Sequence, residues 1–339
     1  MKNKKLYIIL GISGMLGLIL DSKTAITGAL QGINICIYTV IPSLFPLMVL
    51  SIYITGLLRN SSLSILKLVS RICRLSEGTE SLLLVGFIGG YPIGAQCIAN
   101  EYGAGRLSKT DAQRMLGFCS NAGPSFIFGV AGMLFQSALI PWLLWIIHIV
   151  SSIMTGIFLP GSVKMSSKGM SSASISINDA VRLAIRSITY VCGWVILFRT
   201  LSMMLTTWFL WRLPIELQVI ISGAMELVNG FNALHMMNNE SLKFILCSVF
   251  LAFGGVCVCM QTMSVIGDLD IKYYLKGKLI HMVISLILAY IASMILFPGN
   301  NAGIPIIIFI TAIIIMIFSK IVVDFQRKMI YNTKKSSRG

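Results

Sequence analysis

Long apolar runs separated by short basic loops make up most of this chain, and the pattern predicts membrane-spanning helices. A span needs about 20 largely apolar residues. By that measure about eight spans are expected, at 6–20, 33–58, 115–135, 142–159, 184–207, 243–265, 279–297 and 304–320. Two further apolar stretches, 81–99 and 214–238, are interrupted by glycine, and each either crosses the bilayer or dips in and returns. The sharpest interruption is Gly86-Phe-Ile-Gly-Gly-Tyr-Pro-Ile-Gly-Ala95, with glycine and proline inside an apolar run. Both residues break helices, and in hydrocarbon a broken helix survives only where protein or a polar cavity satisfies the freed backbone groups. Broken helices of this kind occur at solute sites in transporters.

Basic residues mark the cytoplasmic side of a membrane protein. If both interrupted stretches are re-entrant, Lys23, Arg212 and Lys243 lie outside and Arg199 lies within a span. Every other Lys and Arg, including the groups at 59–80, 100–114, 161–186 and 267–278, is then cytoplasmic. If both stretches cross instead, the 100–114 and 161–186 groups move outside and the bias weakens. Re-entry is therefore expected, with both termini cytoplasmic. Ser62 to Ser76, basic residues among leucines and isoleucines, reads either as an amphipathic helix on the inner leaflet or as a plain linker.

The resulting order shows a repeat. From residue 33 it is span, hairpin at 81–99, span, span; from residue 184 it is span, hairpin at 214–238, span, span, starting from the opposite side. An inverted-topology repeat in an all-α integral membrane protein is expected, with about eight transmembrane helices and two re-entrant hairpins. Its parts are an N-terminal helix (1–24), a first repeat (25–160), a low-complexity cytoplasmic linker (161–178), a second repeat (179–298), and a C-terminal helix with a basic tail (299–339). Met1-Lys-Asn-Lys-Lys5 before an apolar run resembles a signal peptide, but no clear small-residue cleavage site follows, so a retained first helix is expected.

Composition agrees with a membrane protein: 56% of the 339 residues are hydrophobic and 12% are charged, against about 25% charged in soluble domains. The net charge of +15 would suit nucleic acid, but its spread through the loops is a topology signal and no nucleic-acid motif accompanies it. The eight cysteines show no CxxC pair and read as buried apolar residues. His148, His235 and His281 are far apart in the sequence, so no metal site is expected. There is no Walker A motif, Asp268 and Asp270 read as a solvated turn, and Ser120 and Ser125 lack a His and Asp arrangement, so neither an enzyme nor a cofactor is expected.

The candidate site is built from four breaks: Gly89 to Gly94, Asn121 to Ser125, Glu226 to Gly230, and Gly254-Gly255. Helix ends there would present free N–H and C=O groups to a polar or anionic solute near the midplane. In the first half the candidates are Gly90, Pro92, Gly94, Asn121, Gly123, Pro124 and Ser125. The glycines allow close backbone approach, the prolines fix the breaks, and Asn121 and Ser125 offer hydrogen bonds. In the second half they are Glu226, Asn229, Gly230 and Gly254. Glu226, the one acidic residue well inside an apolar stretch, would bind a coupling H+ or Na+, accept from the solute, pair with Arg199, or be wet in a shallow hairpin. Arg199 would neutralise a solute carboxylate or snorkel to the interface. The glycines also have a plain packing reading.

Gly32-Ile-Asn-Ile-Cys-Ile-Tyr-Thr-Val-Ile-Pro-Ser-Leu-Phe-Pro46, Gly86 to Ala95 and Asn121-Ala-Gly-Pro-Ser-Phe-Ile127, with a weaker echo at Glu226-Leu-Val-Asn-Gly230, resemble the YlbJ-like sporulation integral membrane protein family, which carries the nucleoside-recognition, or gate, domain. The resemblance implies a fold related to inverted-repeat nucleoside permeases and a role in sporulation. It implies a cell-membrane location, as in the mother-cell-derived outer forespore membrane, and a candidate solute, dipicolinic acid, moved from mother cell toward forespore. A nucleoside-type permease and a non-transporting scaffold of the spore envelope are the alternatives. The second half departs from a strict copy: the first hairpin has no counterpart of Glu226, and the second has a proline only at its start, Pro214.

Overall fold

The computed structural model describes residues 2–57, 64–164, 176–298 and 304–336, with some side chains, Ser125 among them, outside that description. The first elements are α1 (Lys2–Leu20), α2 (Ser22–Ile35) and α3 (Ile41–Leu57), the last two joined by a π turn over Cys36–Val40. Pro42 lacks the N–H that would continue the α-helical ladder, and the chain instead closes a wider turn in which Ile41 N–H bonds Cys36 O. Next come α4 (Lys67–Ile72), α5 (Glu80–Ile88), α6 (Ile93–Gly103), α7 (Lys109–Leu116) and α8 (Pro124–Phe126), the last continuing through irregular turns to Leu134. Then follow α9 (Leu139–Phe158), α10 (Ile177–Trp208), α11 (Ile215–Met225), α12 (Leu227–Leu234), α13 (Glu240–Phe253), α14 (Gly255–Val265), α15 (Ile271–Leu296) and α16 (Ile304–Ser336).

Polar residues placed one turn ahead of apolar runs start several of these helices. Ser108 caps α7, Ser176 caps α10, Asn239 caps α13 and Asp270 caps α15, each accepting a backbone N–H from the first turn. Among the described residues five helical stretches are long and apolar enough to cross a membrane: Ser22–Ile54, Leu139–Phe158, Ile177–Trp208, Glu240–Val265 and Ile271–Leu296. The molecule is thus an all-helical, multi-pass membrane protein. The stretch expected as one span at 115–135 unwinds between Leu116 and Pro124 and is two short helical pieces. Residues 81–99 and 214–238 are folded-back helix pairs, α5/α6 and α11/α12. The low-complexity part of the linker lies outside the described residues, but its start is pinned where Val163 N–H bonds Arg74 O.

The core is organised around α13, buried along its length from Ser241 to Phe253, as befits a helix apolar on all sides. Around it, α9 and α15 each bury one side and expose Ile146, Ile287 and Ile291 on the other. Small residues bring the helices together, as in membrane bundles generally. Gly28 and Gly32 let α2 lie against Thr200 and Ile196 of α10, and Gly277 lets α15 lie on the backbone of Gly117. Lys109 and Asp268 tie the first-half and second-half loops at 2.6 Å, a bond that holds the exposed Asp268 carboxyl below its usual range.

Four basic residues expected in loops are instead buried, the first of them Arg106, paired with Glu101. Arg114 is buried and donates to Cys73 O, Gly156 O and Pro160 O, closing the C-terminal end of α9. Lys243 is buried beside Glu240, and Lys278 is fully buried. Setting them aside leaves the charge bias of the loops in the same direction.

Replacing Gly277 by Ala drives a methyl into the Gly117 backbone, which has no flexible end to yield. A loss of about 1–3 kcal/mol is expected, read as a lower Tm in detergent by tryptophan fluorescence. Gly193→Ala, where nothing lies within 4 Å, should not lower the Tm; equal Tm values for the two variants would mean that α15 does not rest on Gly117.

Candidate functional site

The four breaks meet in space. Gly90, at φ +80°, turns the chain between α5 and α6, and a Cβ built on it would stand 3.3 Å from Gly123 N. Gly255, at φ +81°, brings the start of α14 to the turn between α11 and α12, its Cβ position 3.3 Å from Glu226 N. Both positions are left-handed and tightly hemmed by backbone, which is the physical reason for glycine at each. Where the turns converge there is a cavity of about 70 Å³ lined by Gly90, Tyr91, Gly123, Phe126, Glu226 and Gln261, with Val40, Leu44, Val191 and Val195 forming an apolar wall.

Of the expected site residues, Gly90, Gly123 and Glu226 line this cavity. Glu226 ends α11 and begins α12. Its backbone is extended, and its carboxylate accepts Val228 N–H at 3.0 Å and Asn229 N–H at 2.7 Å, capping α12 from within the core. Asn229 Oδ1 accepts from Arg199 Nη1, while Arg199 Nε and Nη2 hold Gln31 Oε1 at 3.1 and 2.6 Å. Arg199 therefore points inward, one side chain removed from Glu226.

The others sit behind the cavity. Asn121 is fully buried and its Nδ2 donates to Gly86 O, Phe118 O and Ser152 Oγ, pinning the unwound chain between α7 and α8. Gly94 lies against the Cys119 carbonyl and Gly230 against Gly223, so both serve helix packing. Pro92 precedes α6 and Pro124 opens α8, a position where its missing N–H costs nothing. Gly254, at φ +83°, separates α13 from α14, with the Tyr91 ring 3.4 Å from its Cβ position. The Ser125 side chain lies outside the described residues.

Several roles escaped the reading of the sequence, although Tyr91 itself was a candidate aromatic lining of the site. Tyr91 bridges the halves: its hydroxyl donates to Leu251 O at 3.0 Å, in the last turn of α13, and accepts from Lys278 Nζ at 3.0 Å. Lys278 also donates to Ser120 O and faces Asn121 Oδ1. His148 and His281, distant in sequence, stand with ring centroids 4.7 Å apart. Among the described residues no group of three or more His, Cys, Asp or Glu could hold a metal, and the eight cysteines are free. The signal for Lys278 was the N-cap Asp270, which starts α15 about two turns before it.

Convergent helix breaks around a small internal cavity define a polytopic helical membrane protein of the broken-helix kind. The chain is 24% identical over 287 residues to the sporulation integral membrane protein YlbJ of Bacillus subtilis (strain 168), an alignment covering 71% of this chain and 70% of that protein. It is a relative of the YlbJ-like proteins. No protein-family model matches the chain, and no solved structure matches it, so the nucleoside-recognition part of the resemblance gains nothing from the comparisons.

Glu226→Ala strips the cap from α12 and leaves two N–H groups without their acceptor. A loss of about 0.5–2 kcal/mol is expected, visible as a lower Tm in detergent, while Glu226→Gln keeps an acceptor oxygen and should lose less. Unchanged Tm in both would show that water reaches these amides.

Proposed function

We propose that this protein is a membrane permease for a small polar or anionic solute, acting in sporulation, with dipicolinic acid as the candidate. The observation that carries the reading is the convergence of three of the four helix breaks on one cavity, with the fourth, at Gly254-Gly255, packed against Tyr91 and Glu226 behind it, which packing alone does not require. Each half contributes a folded-back pair and a broken helix in the same order, which supports an inverted repeat whose two units close on the solute. Tyr91 and Phe126 offer faces to a flat ring, and the amide ends of α8, α12 and α14 offer N–H groups to its carboxyl groups. Glu226 holds the α12 amides in the closed arrangement; a solute carboxylate takes its place there, with Arg199 poised behind Asn229 to balance the charge. The cavity is smaller than such a ring, so the turns at Gly90 and Glu226 part to admit it.

A nucleoside is the second reading, favoured by Gln261, an amide suited to a base edge, beside the two aromatic rings. In both readings the chain is a multi-pass protein of the cell membrane or of the mother-cell-derived outer forespore membrane. The energy comes from a gradient, with H+ or Na+ as the candidate coupling ion, or from none, and no nucleic acid is expected as a partner.

Purified protein in proteoliposomes is expected to take up labelled dipicolinate saturably. Uptake should fall at least about tenfold, about 1.4 kcal/mol, in Glu226→Ala and Asn121→Ala with the protein still folded. Uridine uptake in place of dipicolinate would move the solute to nucleosides. Uptake of neither from folded protein would favour a scaffold of the spore envelope, and normal uptake by both variants would displace the site.

A further inference from the structure

A second buried site lies behind Tyr91, outside the cavity lining. Lys278 is fully buried on α15, and among the described residues no carboxylate faces it. Its neighbours are instead the carbonyl of Ser120, the amide oxygen of Asn121 at 3.4 Å and the hydroxyl of Tyr91 at 3.0 Å. The rings of Tyr91 and Tyr274 stand 4.7 and 5.5 Å from Nζ. The other titratable groups facing it are Cys119 next to the first break, His148 on α9, Cys259 on α14 and His281 one turn along α15. This is a nest of oxygens and aromatic faces for a cation, with the cation supplied by the chain itself and without a counter-ion. A buried ammonium of that kind is costly, and membrane proteins keep such groups for a task.

The imidazoles add a directional feature. Ala122 N–H donates to His148 Nε2 at 3.0 Å, so in the neutral ring the hydrogen of His148 is on Nδ1. His281 Nε2 stands 3.0 Å from the carbonyl of His148 and must donate to it, which leaves its Nδ1 as an acceptor. Both Nδ1 atoms are buried without a hydrogen-bond partner. A donor and an acceptor thus stand idle in adjacent rings, one turn from the amine.

Resting on the permease reading, we propose that Lys278 is the proton-binding site that couples solute movement to a proton gradient, with Tyr91 transmitting its state to the cavity. With the proton bound, Nζ donates to the Tyr91 oxygen, and the Tyr91 hydroxyl is committed to Leu251 O at the end of α13. When the proton leaves Nζ for water, the amine gains a lone pair. Tyr91 can then turn its O–H toward Nζ and release the Leu251 carbonyl, and with it the tie between the first turn and the Gly254 break. No bond other than N–H and O–H contacts changes, and the proton returns from the other side of the membrane. His148 and His281 are the neighbouring groups able to pass it.

Two measurements on wild type, Lys278→Met and Tyr91→Phe test this. In proteoliposomes with an imposed pH gradient, wild type is expected to accumulate labelled dipicolinate, while Lys278→Met loses the accumulation and retains downhill counterflow. Tyr91→Phe also loses it if the hydroxyl is the link. Accumulation by Lys278→Met equal to wild type overturns the proposal. The second readout needs no solute: Tm in detergent followed over about pH 6 to 9, where a proton bound by the folded state appears as a pH-dependent stability difference. Because the uncompensated ammonium weighs on the folded state, wild type should lose several degrees relative to Lys278→Met as the pH falls. A gap constant with pH overturns the proton site whatever the transport result. A gap that varies, from protein that takes up no dipicolinate, keeps the proton site and removes the dipicolinate permease reading.

Discussion

Where a helix unwinds inside an apolar core, each freed N–H and C=O needs a partner that water cannot supply. In this protein several buried polar side chains near the cavity answer that need. Past the end of α7, Ser152 and Asn121 take Phe118 O, Lys278 takes Ser120 O, and His148 takes Ala122 N–H. In the second half Glu226 takes the N–H groups of Val228 and Asn229, and Tyr91 takes Leu251 O. The partners come from α9, α15 and the opposite half, so the breaks can exist only when the whole bundle is assembled. The packing glycines follow from the same constraint: Gly86 and Gly94 hold α5 and α6 against the Cys119 backbone, close enough for those side chains to reach.

Much of the architecture was legible because it is written in period and punctuation. Apolar runs located α9, α10 and α15, and the caps at Ser108, Ser176 and Asp270 are of the residue types that open helices. The first folded-back pair was legible from Gly89-Gly90 and Pro92, since a run with glycine and proline inside it cannot remain one helix, whereas the second turns at Glu226 and keeps Gly230 inside α12. The unwinding between Leu116 and Pro124 was only half visible. Asn121 to Ser125 marked a break, but Gly117 to Ser120 carry no breaker other than one glycine, and their unwinding depends on partners from α9 and α15 that no local pattern contains.

The site was legible as a set of places and less so as a set of roles. Gly90, Gly123 and Glu226 line the cavity because backbone turns are local events that glycine and a capping carboxylate announce. Asn121 and Gly94 belong to the support behind it, and only the distances to Gly86 O and Cys119 O reveal that. Lys278 was hidden by a boundary. Counted from the apolar run alone, α15 begins after it; counted from the Asp270 cap, it lies two turns inside. A lysine assigned to a loop carries no functional signal, whereas the same lysine within a helix that can span a membrane carries a strong one.

The two halves of the chain satisfy their breaks with groups of opposite character. The break in the first half is held by a lysine, an imidazole and an amide, that in the second by a carboxylate with an arginine one residue removed. Tyr91 stands between them, lining the cavity on one side and bonded to Lys278 on the other. Two identical halves would place like charges around the same small volume, where low polarisability makes repulsion expensive.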